Sequence, residues 1–157
     1  MHLDPERLID TLVAGLRAHL AERGIAAPLL FGIRTGGVEL AERLRTALGV
    51  VEPIGTLDIS FHRDDDVRDG LDPQVRPSRI PVDPAGRDLV LVDDVLYTGR
   101  TVRAALNELF DYGRPRSVTL AVLVDRGGRE LPIQADVLAE RVVPAPGERV
   151  ELRWPEG

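Results

Sequence analysis

Leu89-Val90-Leu91-Val92 is apolar at every position. A strand with no polar face must be covered on both sides, which places it inside a largely parallel sheet carrying helices on its faces. Residues 28–33 (PLLFGI) and 117–125 (SVTLAVLVD) are two more such apolar runs. Helical periodicity surrounds them. Leu8, Leu12, Leu16 and Leu20 recur every four residues, behind Asp4 as an N-cap and Pro5 at the first helical position, and Gly24 ends that helix. Val38, Leu40, Ala41, Leu44 and Leu48 mark a second helix closed by Gly49, and residues 101–112 form a third. Alternation around Ile54 to Phe61 predicts a strand, and short strands are expected at 136–143 and 148–154. Residues 64–88 are rich in Pro and Asp and have no sustained period. This order implies βαβ units: an α/β fold with a central, mainly parallel sheet flanked by helices, in one domain over residues 1–157. Ligands of such sheets sit beyond the carboxyl ends of the strands. Three of the loops leave strands at that edge, residues 34–37, 93–101 and 125–129.

Composition narrows the chemistry. There is no cysteine, hence no disulfide framework and no thiolate nucleophile. The formal charge is −6, which disfavours generic binding to a phosphate backbone. All 20 basic residues are arginine, which keeps bidentate phosphate recognition within reach. The N-terminus lacks the basic and apolar regions of a signal peptide, and no apolar run is long enough to span a membrane, so the expected location is the cytoplasm.

The chemistry concentrates after the apolar strand. Asp93 and Asp94 are adjacent carboxylates at the strand's end, where a partner with several hydroxyls, such as a ribose, offers donors to both. Thr98-Gly99-Arg100-Thr101 then leads into a helix. Amides at a helix start favour an anion, Gly99 permits close approach, and the two threonines add hydroxyls. Together they form a cradle for a sugar phosphate. The loop is neither a Walker loop nor a Gly-x-Gly-x-x-Gly turn.

VDDVLYTGRTVRAAL, residues 92–106, resembles the PRPP-binding motif of the type I phosphoribosyltransferases, in the form found in the PyrR family. GIRTGGVELAERL (32–44) resembles that family's pyrophosphate loop, and LDISFHRDD (57–65) the strand entering its flexible catalytic loop. LAVLVDRGGRELPIQAD (120–136) resembles its base-recognition segment. The resemblance implies the type I phosphoribosyltransferase fold with a small hood, a flexible loop at about 62–80 and a base-recognition and hood segment at about 124–157. It implies transfer of ribose 5-phosphate from PRPP to uracil, giving UMP and pyrophosphate, with Mg²⁺ as cofactor. Asp93, Asp94, Arg34 and Arg63 are the implied catalytic set. PRPP or nucleotide would be held by Thr35, Gly36, Asp93, Asp94, Val95, Leu96, Tyr97, Thr98, Gly99, Arg100 and Thr101. Val124, Asp125 and Arg126 would read the base. Asp93 and Asp94 would meet the metal through ribose hydroxyls or water. His19 and His62 are acid–base candidates by residue type alone.

The resemblance also implies a homodimer or higher assembly and a second activity, binding an mRNA stem-loop to regulate pyrimidine genes. On the implied RNA face, Leu12, Gly15 and Gly128 replace the family's arginine and two histidines. Gly36 stands where the family places an arginine. Two alternatives stay open: an RNA-binding sensor of UMP or PRPP with little catalysis, and a transferase for another base such as a purine. Clustering of Arg7, Arg17, Arg126, Arg129 and Arg141 on one face of the folded dimer would favour the RNA reading.

Overall fold

A computed structural model describes residues 3–59 and 78–150. Eight elements follow one another: α1 (Pro5–Glu22), β1 (Leu29–Ile33), α2 (Gly36–Leu48), β2 (Gly55–Leu57), β3 (Asp88–Leu96), α3 (Arg100–Phe110), β4 (Ser117–Asp125) and β5 (Val137–Arg141). The strands form one five-stranded sheet in the order β2-β1-β3-β4-β5, with each neighbouring pair parallel.

The all-apolar strand takes the central place its composition demands. Val90 and Val92 face one core with Leu12, Leu16, Leu40 and Leu44 from α1 and α2. Leu89 and Leu91 face the other with Val102, Ala105 and Leu109 from α3. Both faces of β3 are therefore dry, as a parallel sheet layered between helices requires. Local signals set the helix ends. Asp4 accepts the amide of Glu6 (3.1 Å), Pro5 opens α1, and Gly24 and Gly49 adopt left-handed φ values of 68° and 70° after α1 and α2.

β3 is longer than its apolar run suggests. It continues through the acidic pair to Leu96, with Asp93 opposite Val122 and Leu96 opposite Asp125 on β4. Its pairing with β1 stops at Val92, opposite Gly32. From the β1/β3 pair, one crossover runs through α2 to β2 and the other through α3 to β4, so the order in which strands are added to the sheet reverses between β1 and β3. Such a switch point is where open α/β sheets hold ligands.

Of the other expectations, α3 begins one residue earlier than predicted and ends at Phe110. A strand at 136–143 is present as β5. Residues 148–150 are not in a strand, and the rest of that segment lies outside the described residues. Arg63, His62 and nearly all of the 62–80 loop also lie outside them. No helix among the described residues is long and apolar enough to cross a membrane.

Candidate active site

Two helix starts flank the switch point. The first follows β1. Glycines let α2 pass close over the sheet: a Cβ on Gly37 would strike the carbonyl oxygen of Val92, and one on Gly32 would lie 2.6 Å from the carbonyl of Gly37. The Arg34–Thr35 peptide is cis. The Arg34 amide donates to the Leu57 carbonyl (3.0 Å), and its Nη2 to Thr56 Oγ1 (3.1 Å). Its Nε is buried and has no hydrogen-bond partner among the described residues. A guanidinium anchored at one end with an unanswered N–H is suited to an anionic ligand.

The second start follows β3. Asp93 is 6% exposed. Its Oδ1 accepts the Asp94 amide (2.9 Å), and Asp94 Oδ1 accepts the Val95 amide (2.9 Å). Each carboxylate thus turns back to the next amide in the stretch where β1 no longer pairs with β3. Gly99 caps α3 with φ 94°, a conformation that side-chain-bearing residues rarely adopt. Thr98 Oγ1 accepts the Arg100 amide (3.1 Å), and the Arg103 amide donates to the Gly99 carbonyl (3.0 Å). The amides of Thr101 and Val102 fall before that helical bond, and amides in the first turn point outward from a helix. Asp93, Thr98, Gly99, Arg100, Thr101 and Val102 line a cleft of about 430 Å³ together with Glu130, and Asp94 is not among its lining residues.

The segment after β4 braces this cleft. Amides of Glu130 and Leu131 donate to the Thr98 carbonyl (2.9 and 3.0 Å), and Glu130 Oε1 accepts from Arg100 Nε (2.8 Å). Glu130 is a cleft residue that sequence reasoning missed; nothing in DRGGRE distinguishes it from a solvated acid. Asp125 is 2% exposed. Burial pushes its carboxyl up, but Arg129 (2.6 Å), the Gly127 amide and Arg141 outweigh this and hold it below the ordinary range.

The predicted site residues separate into groups. Arg34, Thr35 and Gly36 lie at the first helix start, and Asp93 through Thr101 at the second. Leu96 is buried, so it can meet a ligand only through its backbone, and its carbonyl already accepts the Arg126 amide (3.0 Å). Val124 is fully buried in a strand paired on both sides. Asp125 is tied into its own loop, and the Arg126 guanidinium lies over the Tyr97 ring, 4.0 Å from its centroid. None of these three lines the 430 Å³ cleft. His19 lies in the last turn of α1, and Arg17 nearby donates to the carbonyl of Ala47 at the end of α2. That is the opposite edge of the sheet. Among the described residues no three His, Cys, Asp or Glu side chains gather as a metal site.

The positions that depart from the family pattern have structural causes. Leu12 is fully buried, and an arginine there would carry its charge into the core. A Cβ on Gly15 would lie 3.0 Å from Val137 Cγ1, so the glycine lets α1 settle on β5. Gly128 has φ 75°, and a Cβ there would strike the Tyr97 ring. Arg7, Arg129 and Arg141 each have a carboxylate partner, in Glu140 or Asp125, whereas Arg17 stands at the far end of α1.

Residues 4–146 match the family described as "Phosphoribosyl transferase domain". The bifunctional protein PyrR of Pseudomonas paraeruginosa is 58% identical over 97% of this chain and 89% of its own length. That of Pseudomonas syringae pv. syringae is 55% identical over 98% and 90%. Among solved structures, a hypoxanthine-guanine phosphoribosyltransferase from Bacillus anthracis superposes with a TM-score of 0.69 at 14% identity, covering 91% of this chain and 82% of that one. A Staphylococcus aureus hypoxanthine phosphoribosyltransferase gives 0.66 at 19% identity, covering 90% and 76%. These structures share the fold. With the two helix starts at the switch point and the sequence identity to the Pseudomonas proteins, the chain belongs to the PyrR family of type I phosphoribosyltransferases.

Proposed function

We propose that this protein transfers ribose 5-phosphate from PRPP to N1 of uracil, forming UMP and pyrophosphate, and that, as in the PyrR family, it regulates pyrimidine genes. The observation that carries the transfer is the pairing of two helix starts across one acidic stretch. A substrate with a phosphate at one end and a pyrophosphate at the other can span them.

The 5-phosphate is assigned to the amides of the first α3 turn and the Thr98 and Thr101 hydroxyls, and the ribose hydroxyls to Asp93 and Asp94. Pyrophosphate is assigned to residues 34–37. When the bond from C1 to the pyrophosphate oxygen breaks, the sugar gains oxocarbenium character and negative charge moves to the leaving group. Arg34 and the α2 amides oppose that charge, and placement of uracil N1 near C1 supplies the remaining advantage. Arg63 and the 62–80 loop are assigned to the closing of the site. Asp93 and Asp94 would meet a Mg²⁺ ion through ribose hydroxyls or water, an oxygen-rich setting of the kind Mg²⁺ favours. Bound there, Mg²⁺ would neutralise charge collecting on pyrophosphate. Val124, Asp125 and Arg126 remain the segment assigned to the base.

The test is a steady-state assay with PRPP, Mg²⁺ and a panel of uracil, hypoxanthine, guanine and orotate. UMP formation that falls on the order of a hundredfold in Asp94→Asn, with an unchanged melting transition, is expected. Turnover of a purine instead would overturn the base assignment. Absence of turnover with any base would overturn the transfer.

A further inference from the structure

The two adjacent glycines of the β1–α2 loop do different work. Gly37 meets backbone: its Cβ would strike the Val92 carbonyl and lie 3.2 Å from Asp93 Cα. At Gly36 the three nearest atoms all belong to one side chain. A Cβ there would fall on the carboxylate of Asp94, overlapping Oδ2 and lying 2.5 Å from Cγ. Neither glycine has a positive φ, so backbone conformation does not require glycine at either position. Gly36 is also the first residue of α2, where alanine has the better helix propensity. What glycine alone provides at 36 is room for the Asp94 carboxylate against the start of α2.

We propose that Gly36 is a positioning residue for the transfer reaction, acting through Asp94: the missing side chain lets the carboxylate sit at the junction of the two helix starts. The inference rests on the assignment of Asp94 to the ribose hydroxyls and adds a residue that sets its placement. The family's arginine at this position would bring a cation to the pyrophosphate loop, where this chain leaves room against Asp94.

The neighbour is the far end of a flexible side chain, so Gly36→Ala leaves the fold intact while Asp94 rotates away. A displacement of about 1 Å in a catalytic group can cost up to about a hundredfold in rate. The experiment compares wild type, G36A, D94N and G36A/D94N in kcat and KM for PRPP, in PRPP and UMP affinity by calorimetry, and in melting temperature. Gly37→Ala serves as the backbone-clash control.

The expected result is a kcat/KM for PRPP at least tenfold lower in G36A, a melting temperature within about 2 °C of wild type, and a clear melting loss only in G37A. The double variant should be no worse than D94N, because Gly36 acts through that carboxylate. Kinetics of G36A within twofold of wild type would overturn the proposal, as would a full additional loss in the double variant or a melting loss as large as that of G37A. If wild type itself fails to turn over, the transfer reading fails separately, and the same comparison is decided by PRPP affinity.

Discussion

The β3–α3 loop and the β1–α2 loop both start a helix beside the acidic pair, yet they are built in opposite ways. The β3–α3 loop is braced. Gly99 is required by its φ of 94° and by Ile133, whose Cβ would lie 3.1 Å from a Cβ at 99. The Thr98 carbonyl takes two amides from the following segment, and Glu130 already places a carboxylate on Arg100. The β1–α2 loop is open. Its glycines have ordinary backbone angles and matter for the space they leave, and Arg34 carries a buried Nε without a partner among the described residues. One loop is held in shape by its own contacts. The other leaves one buried guanidinium N–H for which, on the proposed assignment, the pyrophosphate is the partner. This difference suits a reaction in which the 5-phosphate stays on the protein through the chemistry and the pyrophosphate leaves.

The contrast can be broken most sharply at Arg34. Replacement by alanine should raise the KM for PRPP ten- to a hundredfold, the roughly 1.5–3 kcal/mol of a hydrogen bond to a charged group. UMP has no pyrophosphate, so its affinity should stay within twofold; calorimetry with both ligands checks this, and an equal loss for UMP would merge the two loops. Next in size is Gly99→Ala. Forcing a side chain into the left-handed region costs about 1–3 kcal/mol, and Ile133 adds crowding. Gly24→Ala has a similar φ of 68° with nothing within 4 Å, so it should cost less. Urea midpoints of the pair separate conformation from crowding, and UMP affinity should drop only in the first.

A smaller effect, of opposite sign, is expected at Glu130. Its carboxylate competes with phosphate for Arg100 across an exposed ion pair, so Glu130→Gln should raise affinity for UMP roughly two- to fivefold. A fall in affinity would show that Glu130 orders the loop rather than occupying it. A last effect concerns acid stability at the start of β3. Arg116 and Ser117 hydrogen-bond Asp88 and hold its carboxyl at about 2, below its ordinary 3.8. A carboxyl lowered on folding contributes stability above its unfolded pKa and loses it as pH falls through the folded value. Stability should therefore stay level down to about pH 4 and decline from there toward pH 2, with a shallower decline in Asp88→Asn.

Much of this was legible in the residues. Asp4, Pro5, Gly24 and Gly49 mark their helix ends by local chemistry, and the apolar run of β3 leaves it nowhere but the centre of the sheet. The cradle at 98–101 was legible because a phosphate site at a helix start needs little beyond glycine and hydroxyls. The end of β3 was not. Asp93 lies in a paired strand and is nearly buried, and periodicity cannot see a carboxylate that the interior accepts because it bonds the next amide. Glu130 reaches the cleft through loop packing with no sequence signature. Gly36 and Gly37 look alike in RTGG, and only their neighbours, a side chain in one case and a backbone carbonyl in the other, tell them apart. The base segment at 124–126 rests on the resemblance, and burial of Val124 follows from its place in β4, a strand paired on both sides.

A crystal structure with UMP bound would test the assignment of the two loops most directly. The phosphate should lie on the amides of residues 98–101, with the ribose hydroxyls against Asp93 and Asp94 and residues 34–37 untouched by the nucleotide phosphate. A phosphate seated on residues 34–37, or on Arg126, Arg129 and Arg141, would contradict it.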